Sequence, residues 1–165
     1  MSASIGHVLP PSLDEADAGE IASKGQLLPL SWQALNHDEE LMDESLNPHV
    51  VVLTDALQLA NRPGRLVEAI LVVKKRFPGA LLWTPGIGGP DNCAVLSWFG
   101  VDLFDTTRTT QAGAHGAVLT WSGPRIATEG ESINSHWRSA LAEVRSAIMS
   151  NSLRELAQSQ SLNSP

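Results

Sequence analysis

Hydrophobic residues first gather into an unbroken run at His49-Val50-Val51-Val52-Leu53-Thr54. A β-branched run without polar alternation predicts a strand buried on both faces. A loop leads to Pro63. Leu66, Val67, Ile70, Leu71 and Val73 then recur at helical spacing, with Pro63 near the helix start and Pro78 past its end. Ala80 to Thr84 predicts a second buried strand, and Pro85 to Gly89 a glycine-rich loop. Pro90 and Asp91 open a short helix through Trp98, which Gly100 ends. Val101 to Asp105 predicts a third strand. The order β-α-β-α-β with short connections specifies parallel strands joined by right-handed crossovers.

The pattern then changes. Gly116 to Trp121 and Arg125 to Thr128 read as a hairpin around Ser122-Gly123-Pro124. Ser132 to Gln158 predicts one long amphipathic helix, its stripe formed by Trp137, Leu141, Val144 and Ile148. After a slip near Ser150-Asn151 the stripe resumes at Leu153 and Leu156. Upstream, residues 1–48 scatter prolines and glycines between acidic clusters, and only Leu27 to Leu35, anchored on Trp32, has the makings of a packed segment. Four segments result: an irregular acidic leader (1–48), an α/β unit with its hairpin (49–131), a C-terminal helix (132–158) and a polar tail (159–165). Three parallel strands leave raw edges, which the leader or another chain has to cover; self-association or a second protein chain is the expectation.

Composition narrows the class. With 165 residues and 42% hydrophobic content the chain supports one core. It is short of the roughly 200 residues that a complete eight-stranded (β/α) barrel needs. No apolar stretch is long enough to span a membrane, and Met1 to Leu30 lacks the basic start and apolar run of a signal peptide, so a cytoplasmic location is expected. The net charge of −7 is concentrated in residues 1–50, where nine acids face one base, Lys24. The remainder is nearly neutral and carries no basic patch of the kind that grips phosphates. A single cysteine, Cys93, excludes an internal disulfide framework and a zinc site built from several thiolates.

In a parallel α/β sheet, active groups collect where strands end. Asp55 follows the first strand, Gly86-Ile87-Gly88-Gly89 the second, and Asp105 ends the third. Alternation puts Val101, Leu103 and Asp105 on one face, so Asp105 closes an apolar column at its mouth. A carboxylate there is either a nucleophile or base, or a residue that fixes the neighbouring loop. The glycine loop lacks the third glycine of a dinucleotide fingerprint and the Gly-Lys-Ser/Thr of a P-loop. Its backbone can approach a flat ligand closely, or simply turn tightly before a helix. The five histidines form no metal-binding spacing, and Cys93 reads as a small buried hydrophobe.

Two segments carry a family resemblance. Trp83-Thr84-Pro85-Gly86-Ile87-Gly88-Gly89-Pro90-Asp91 and Phe99-Gly100-Val101-Asp102-Leu103-Phe104-Asp105 resemble the last two strand–loop units of the tRNA-guanine transglycosylases. The hairpin Gly116 to Pro124 is similar to the segment that follows in those enzymes. Leu141 to Ile148, with Leu153 to Leu156, resembles the helix after the family's zinc site. Val50 to Leu59, with Asn61-Arg62-Pro63, is most similar to the transglycosylase-like N-terminal part of the archaeosine synthases. Together these pieces cover about residues 49–165.

The resemblance implies a partial (β/α) barrel of TIM type with about three parallel strands, a β-hairpin and a long C-terminal helix. It implies base exchange in tRNA, guanine for a 7-deazaguanine, through an aspartate that attacks C1′ of the ribose. Asp105 matches that aspartate, and Gly86, Gly88 and Gly89, with Asp55, would then line the base; no cofactor and no metal are implied for this chain. Three positions depart from the family pattern. No strand before His49 supplies the second carboxylate that moves the leaving base's proton. No cysteine follows Cys93, and Ser132 stands where a gapless match puts the zinc-binding histidine. Thr110-Gln111-Ala112-Gly113-Ala114 replaces an arginine-rich stretch that contacts tRNA in the family. The expected function is a transglycosylase-like domain of the tRNA deazaguanine (archaeosine) pathway, a subunit or module with tRNA and a guanine-type base as partners. The alternatives are a non-catalytic scaffold that binds tRNA or a partner enzyme, and a truncated fragment of the larger enzyme.

Overall fold

The computed structural model describes residues 7–8, 27–32 and 48–163. Within them lie a five-stranded sheet, a two-stranded hairpin and six helices. In chain order the elements are β1 (His7–Val8), β2 (Leu27–Leu30), β3 (Val50–Leu53), α1 (Ala56–Leu59), α2 (Pro63–Arg76), β4 (Leu81–Trp83), α3 (Cys93–Phe99), β5 (Leu103–Phe104), α4 (Thr107–Ala114), β6 (Ala117–Thr120), β7 (Gly123–Ile126), α5 (Ser135–Met149) and α6 (Leu153–Asn163).

The sheet order is β1-β5-β4-β3-β2. From β2 to β5 each strand lies parallel to the next in sequence, and β1 runs antiparallel to β5. There are thus four parallel strands, not about three. The additional strand comes from the segment expected to be irregular: Leu27 to Leu30 pair with Val50 to Leu53 in register, so the sheet crosses the expected boundary at residue 48. A strand made of Leu-Leu-Pro-Leu carries no sequence alternation; its pairing with the β-branched run of β3 is what orders it. Apart from residues 7–8, 27–32 and 48, the leader lies outside the described residues.

All four residues of β3 are buried, as an uninterrupted apolar run requires. Val51, Leu53, Leu82 and Phe104 join the cluster beneath the helices, with Leu66, Ala69, Ile70 and Val73 from α2. Val50, Val52, Trp83 and Leu103 are buried on the opposite face. Helix α2 begins at Pro63, where the missing N–H costs nothing, and ends on Lys74-Lys75-Arg76, whose charges suit the negative end of the helix dipole. Lys74 reaches back to the Asp102 carboxylate (2.7 Å), and Asp102 also accepts the Leu82 amide (2.9 Å), tying the start of β5 to β4.

The C-terminal region corrects three further expectations. The long helix is two helices. Asn151 adopts φ +57°, the Ser152 amide bonds the Ala147 carbonyl (2.8 Å) and the Asn151 amide bonds Ile148 (3.2 Å). This is a Schellman stop, and asparagine tolerates the left-handed conformation it needs. Helix α6 then runs through Asn163, past the expected end at Gln158. In the hairpin, Trp121-Ser122 form the turn, with Gly123 at φ +114°, and Pro124 lies within β7. A two-strand ribbon leaves β7 an outer edge where proline is tolerated.

Candidate functional site

The site forms where β4 and β5 end. Trp83 pairs with Leu103, and two residues further along the same face of β5 is Asp105. This residue is only 2% exposed. Its Oδ2 accepts hydrogen bonds from the Trp83 indole Nε1 (3.0 Å) and the Gly86 amide (3.0 Å), while its Oδ1 accepts from the Thr107 amide (3.0 Å). A carboxylate offers about four lone-pair positions. Both on Oδ2 are taken, and Oδ1 keeps one. The carboxylate therefore joins three segments (the end of β4, the glycine loop and the first turn of α4) and presents a single oxygen with acceptor capacity to spare.

The glycine loop is held from several sides. Gly86 has φ +81°, a conformation that favours glycine and that aims its N–H at Asp105. Gly88 passes so close over Phe104 that a Cβ would overlap the ring. Phe104 also packs against Trp137 of α5, ring centroids 5.7 Å apart and tilted. Gly89 leaves room for the pair Asp91–Arg108, joined by two bonds of 2.7 and 2.8 Å; a Cβ there would come within 2.5 Å of the guanidinium. Asn92 braces the loop with both ends of its amide, accepting from the Gly89 N–H (2.8 Å) and donating to the Ile87 carbonyl (2.9 Å).

Of the residues singled out from sequence, the structure brings Asp105 and Gly86 into direct contact. Gly88 and Gly89 serve close packing around them. Asp55 is engaged elsewhere: its carboxylate accepts the Trp32 amide (3.1 and 3.2 Å) and fastens the end of β2 to β3. Cys93 is fully buried, and burial pushes its thiol up to about 12, so it is inert. Among the described residues no group of three His, Cys, Asp or Glu side chains could hold a metal ion.

Sequence reasoning missed several partners. Trp83 was legible, since it shares a face with Asp105. Thr107 and Arg108 belong to α4, an eight-residue helix of sequence Thr-Arg-Thr-Thr-Gln-Ala-Gly-Ala with no apolar stripe to reveal it. Buried Gln160 sits in a segment that read as a polar tail.

Two clefts lie away from the strand ends. One, of about 310 Å³, is lined by Trp121, His136, Ser139, Ala140, Glu143 and Leu156. The other, of about 370 Å³, lies between α3 and α6 beside Trp98, Phe99 and Arg154. Neither touches Asp105. Near the first, Glu131 receives both ends of the Arg125 guanidinium (2.8 and 2.5 Å), the Thr128 amide (3.1 Å) and His136 Nε2 (3.1 Å). The Arg125 bonds above all, then the Thr128 amide and His136, hold the Glu131 carboxyl far below the usual range; the same pairing raises Arg125.

No described helix is long and apolar enough to cross a membrane. No family model matches the chain, and no solved structure matches it. One similarity to a characterised sequence is informative: over 73 residues the chain is 32% identical to archaeosine synthase subunit alpha of Methanosarcina acetivorans. The shared stretch is 44% of this chain but only 12% of that protein. It establishes a distant, partial link between this mixed α/β chain and archaeosine synthase.

Proposed function

We propose that the chain is a transglycosylase-like module of archaeosine tRNA modification, acting on tRNA as one part of a larger assembly. The observation that carries this reading is the contact between Gly86 N–H and the Asp105 carboxylate across the ends of two neighbouring parallel strands. The sequential order of the four parallel strands is that of a segment of a (β/α) barrel, whose chemistry sits at this end. The partial similarity to archaeosine synthase subunit alpha supports the same pathway.

In base exchange, Asp105 acts through Oδ1, the oxygen with a lone pair to spare. It forms a bond to C1′ of the ribose as the bond from C1′ to the guanine nitrogen breaks; the incoming deazaguanine later displaces the carboxylate, its ring N–H proton returning to the group that protonated the guanine. The departing guanine has to gain a proton. Asp55, the other strand-end carboxylate, is turned to the Trp32 amide, so this proton comes from outside the described site. That need fits a module working within a larger assembly.

A second reading has its own observation. Asp105 is nearly inaccessible and already accepts three hydrogen bonds, which suits a structural latch in a non-catalytic scaffold that binds tRNA. Incorporation of labelled guanine into tRNA, with a tRNA gel shift run alongside, separates the two. Incorporation that stops in Asp105→Asn while tRNA still shifts supports the nucleophile. A tRNA shift without incorporation by the wild type supports the scaffold, and neither signal refutes both.

A further inference from the structure

Gln160 is the one fully buried polar side chain at the C-terminal end of the described fold, and it lies on α6, far in sequence from the strand ends. Its hydrogen-bonding groups all turn to one short segment. Oε1 accepts the Ala94 amide (2.9 Å) and the Val95 amide (3.3 Å), and Nε2 donates to the Pro90 carbonyl (2.9 Å). Ala94 and Val95 belong to the first turn of α3, whose N–H groups have no partner within the helix. No side chain caps α3 at its own N-cap, Asn92, because the Asn92 amide is committed to Gly89 and Ile87. Gln160 supplies from α6 what Asn92 cannot.

We propose that Gln160 is a positioning residue for the strand-end site, setting the glycine loop from 70 residues away. The connections are continuous. Gln160 fixes Pro90 and the start of α3; Asn92, at that start, holds Gly89 and Ile87; Gly86, one residue before Ile87, donates to Asp105. Each contact is a hydrogen bond of about 3 Å, buried at Gln160 and partly buried in the loop, so displacement at one end is opposed along the whole chain. Helix α6 is set off from α5 by the Schellman stop at Asn151, so Gln160 and the apolar residues Leu153, Leu156 and Ala157 are what dock it. The inference deepens the proposed function, since the loop it positions is the one that holds Asp105.

The test compares amide hydrogen exchange in the full chain, wild type and Gln160→Met, a change that keeps length and removes all three bonds. The expected result is exchange faster by about tenfold, the equivalent of one lost hydrogen bond, at Gly86, Gly89, Cys93 and Ala94. The amides of Val51 and Leu82 in the core should stay at the wild-type rate. Unchanged loop exchange would overturn the proposal, and so would equal acceleration of loop and core, which marks a merely structural role. Should Gln160→Met fail to fold, Gln160→Glu carries the same comparison: it keeps an acceptor for Ala94 and Val95 but loses the bond to Pro90, and the loop amides should again exchange faster than in the wild type while Val51 and Leu82 do not. If the wild type exchanges guanine, Gln160→Met should lower kcat and leave the KM for tRNA unchanged; a raised KM with kcat intact would count against positioning. A wild type without guanine exchange would remove the catalytic reading, while the amide comparison still decides the role of Gln160.

Discussion

Aspartate to asparagine is ordinarily the gentlest way to remove a carboxylate, but Asp105 is a place where it should be costly. The carboxylate accepts three N–H donors, two on Oδ2 and one on Oδ1. Asparagine has a single oxygen. Its better orientation leaves that oxygen to Trp83 and Gly86 and turns the NH2 toward the Thr107 amide, donor against donor. Bonds to a charged acceptor are stronger than neutral ones by about 1 kcal/mol each, so the two surviving bonds weaken by about 2 kcal/mol together. The Thr107 N–H, partly buried, loses its acceptor for about another 1 kcal/mol. Asp105→Asn should therefore destabilise the chain by about 3 kcal/mol. Urea unfolding followed by tryptophan fluorescence measures this, with the midpoint falling and the slope unchanged. A loss below about 1 kcal/mol would refute the three-donor arrangement, because no orientation of asparagine satisfies all three. In activity assays the mutant has to be compared under conditions where it is still folded.

Two other perturbations test separate parts of the structure. Gly88→Ala drives a methyl group into the Phe104 ring, itself packed against Trp137, and should cost about 1–3 kcal/mol, read as a lower melting temperature; an unchanged melting temperature would show that the loop does not press on the ring. Glu131 has a carboxyl held below its ordinary value of 4.5, so its contribution to stability is complete above that pH and is lost as pH falls toward the folded-state value. The stability gap between wild type and Glu131→Gln should accordingly be open at pH 7 and close progressively below about pH 4.5; a gap that is constant in pH would mean that the Arg125 and His136 contacts contribute nothing through charge.

The parts of the fold legible in the sequence were those with strong local patterns. The run Val50 to Leu53, the apolar stripe of α2 and the Gly100 stop each carry their own signal, and each element formed where the pattern put it. Strand β2 and helix α4 were not legible, because one is four residues with a proline and the other a polar octamer; both are ordered by what they pair with or abut. At the site, alternation along β5 placed Asp105 at the mouth of the sheet, and the glycine loop was found beside it. Side-chain to main-chain bonds between distant segments left no trace in composition. Asp55 was placed correctly at a strand end, yet its partner, the Trp32 amide, belongs to a segment that carried no strand pattern. Gln160 is the same lesson at longer range, since a glutamine in a polar helix end looks solvated until its neighbours are known.

The sequential order of the four parallel strands has a kinetic consequence. Each parallel pair joins strands that follow one another along the chain, so no later strand has to be inserted between two that are already paired. The unit β3-α2-β4 pairs strands close in sequence and suits an early nucleus, onto which β2 and β5 add from either side at modest loop-closure cost. The long-range side-chain bonds from Gln160 to Pro90 and Ala94 then close late. Refolding of this chain should thus show the core forming before the glycine loop acquires its final shape, and the strand-end site should be the last region to become native.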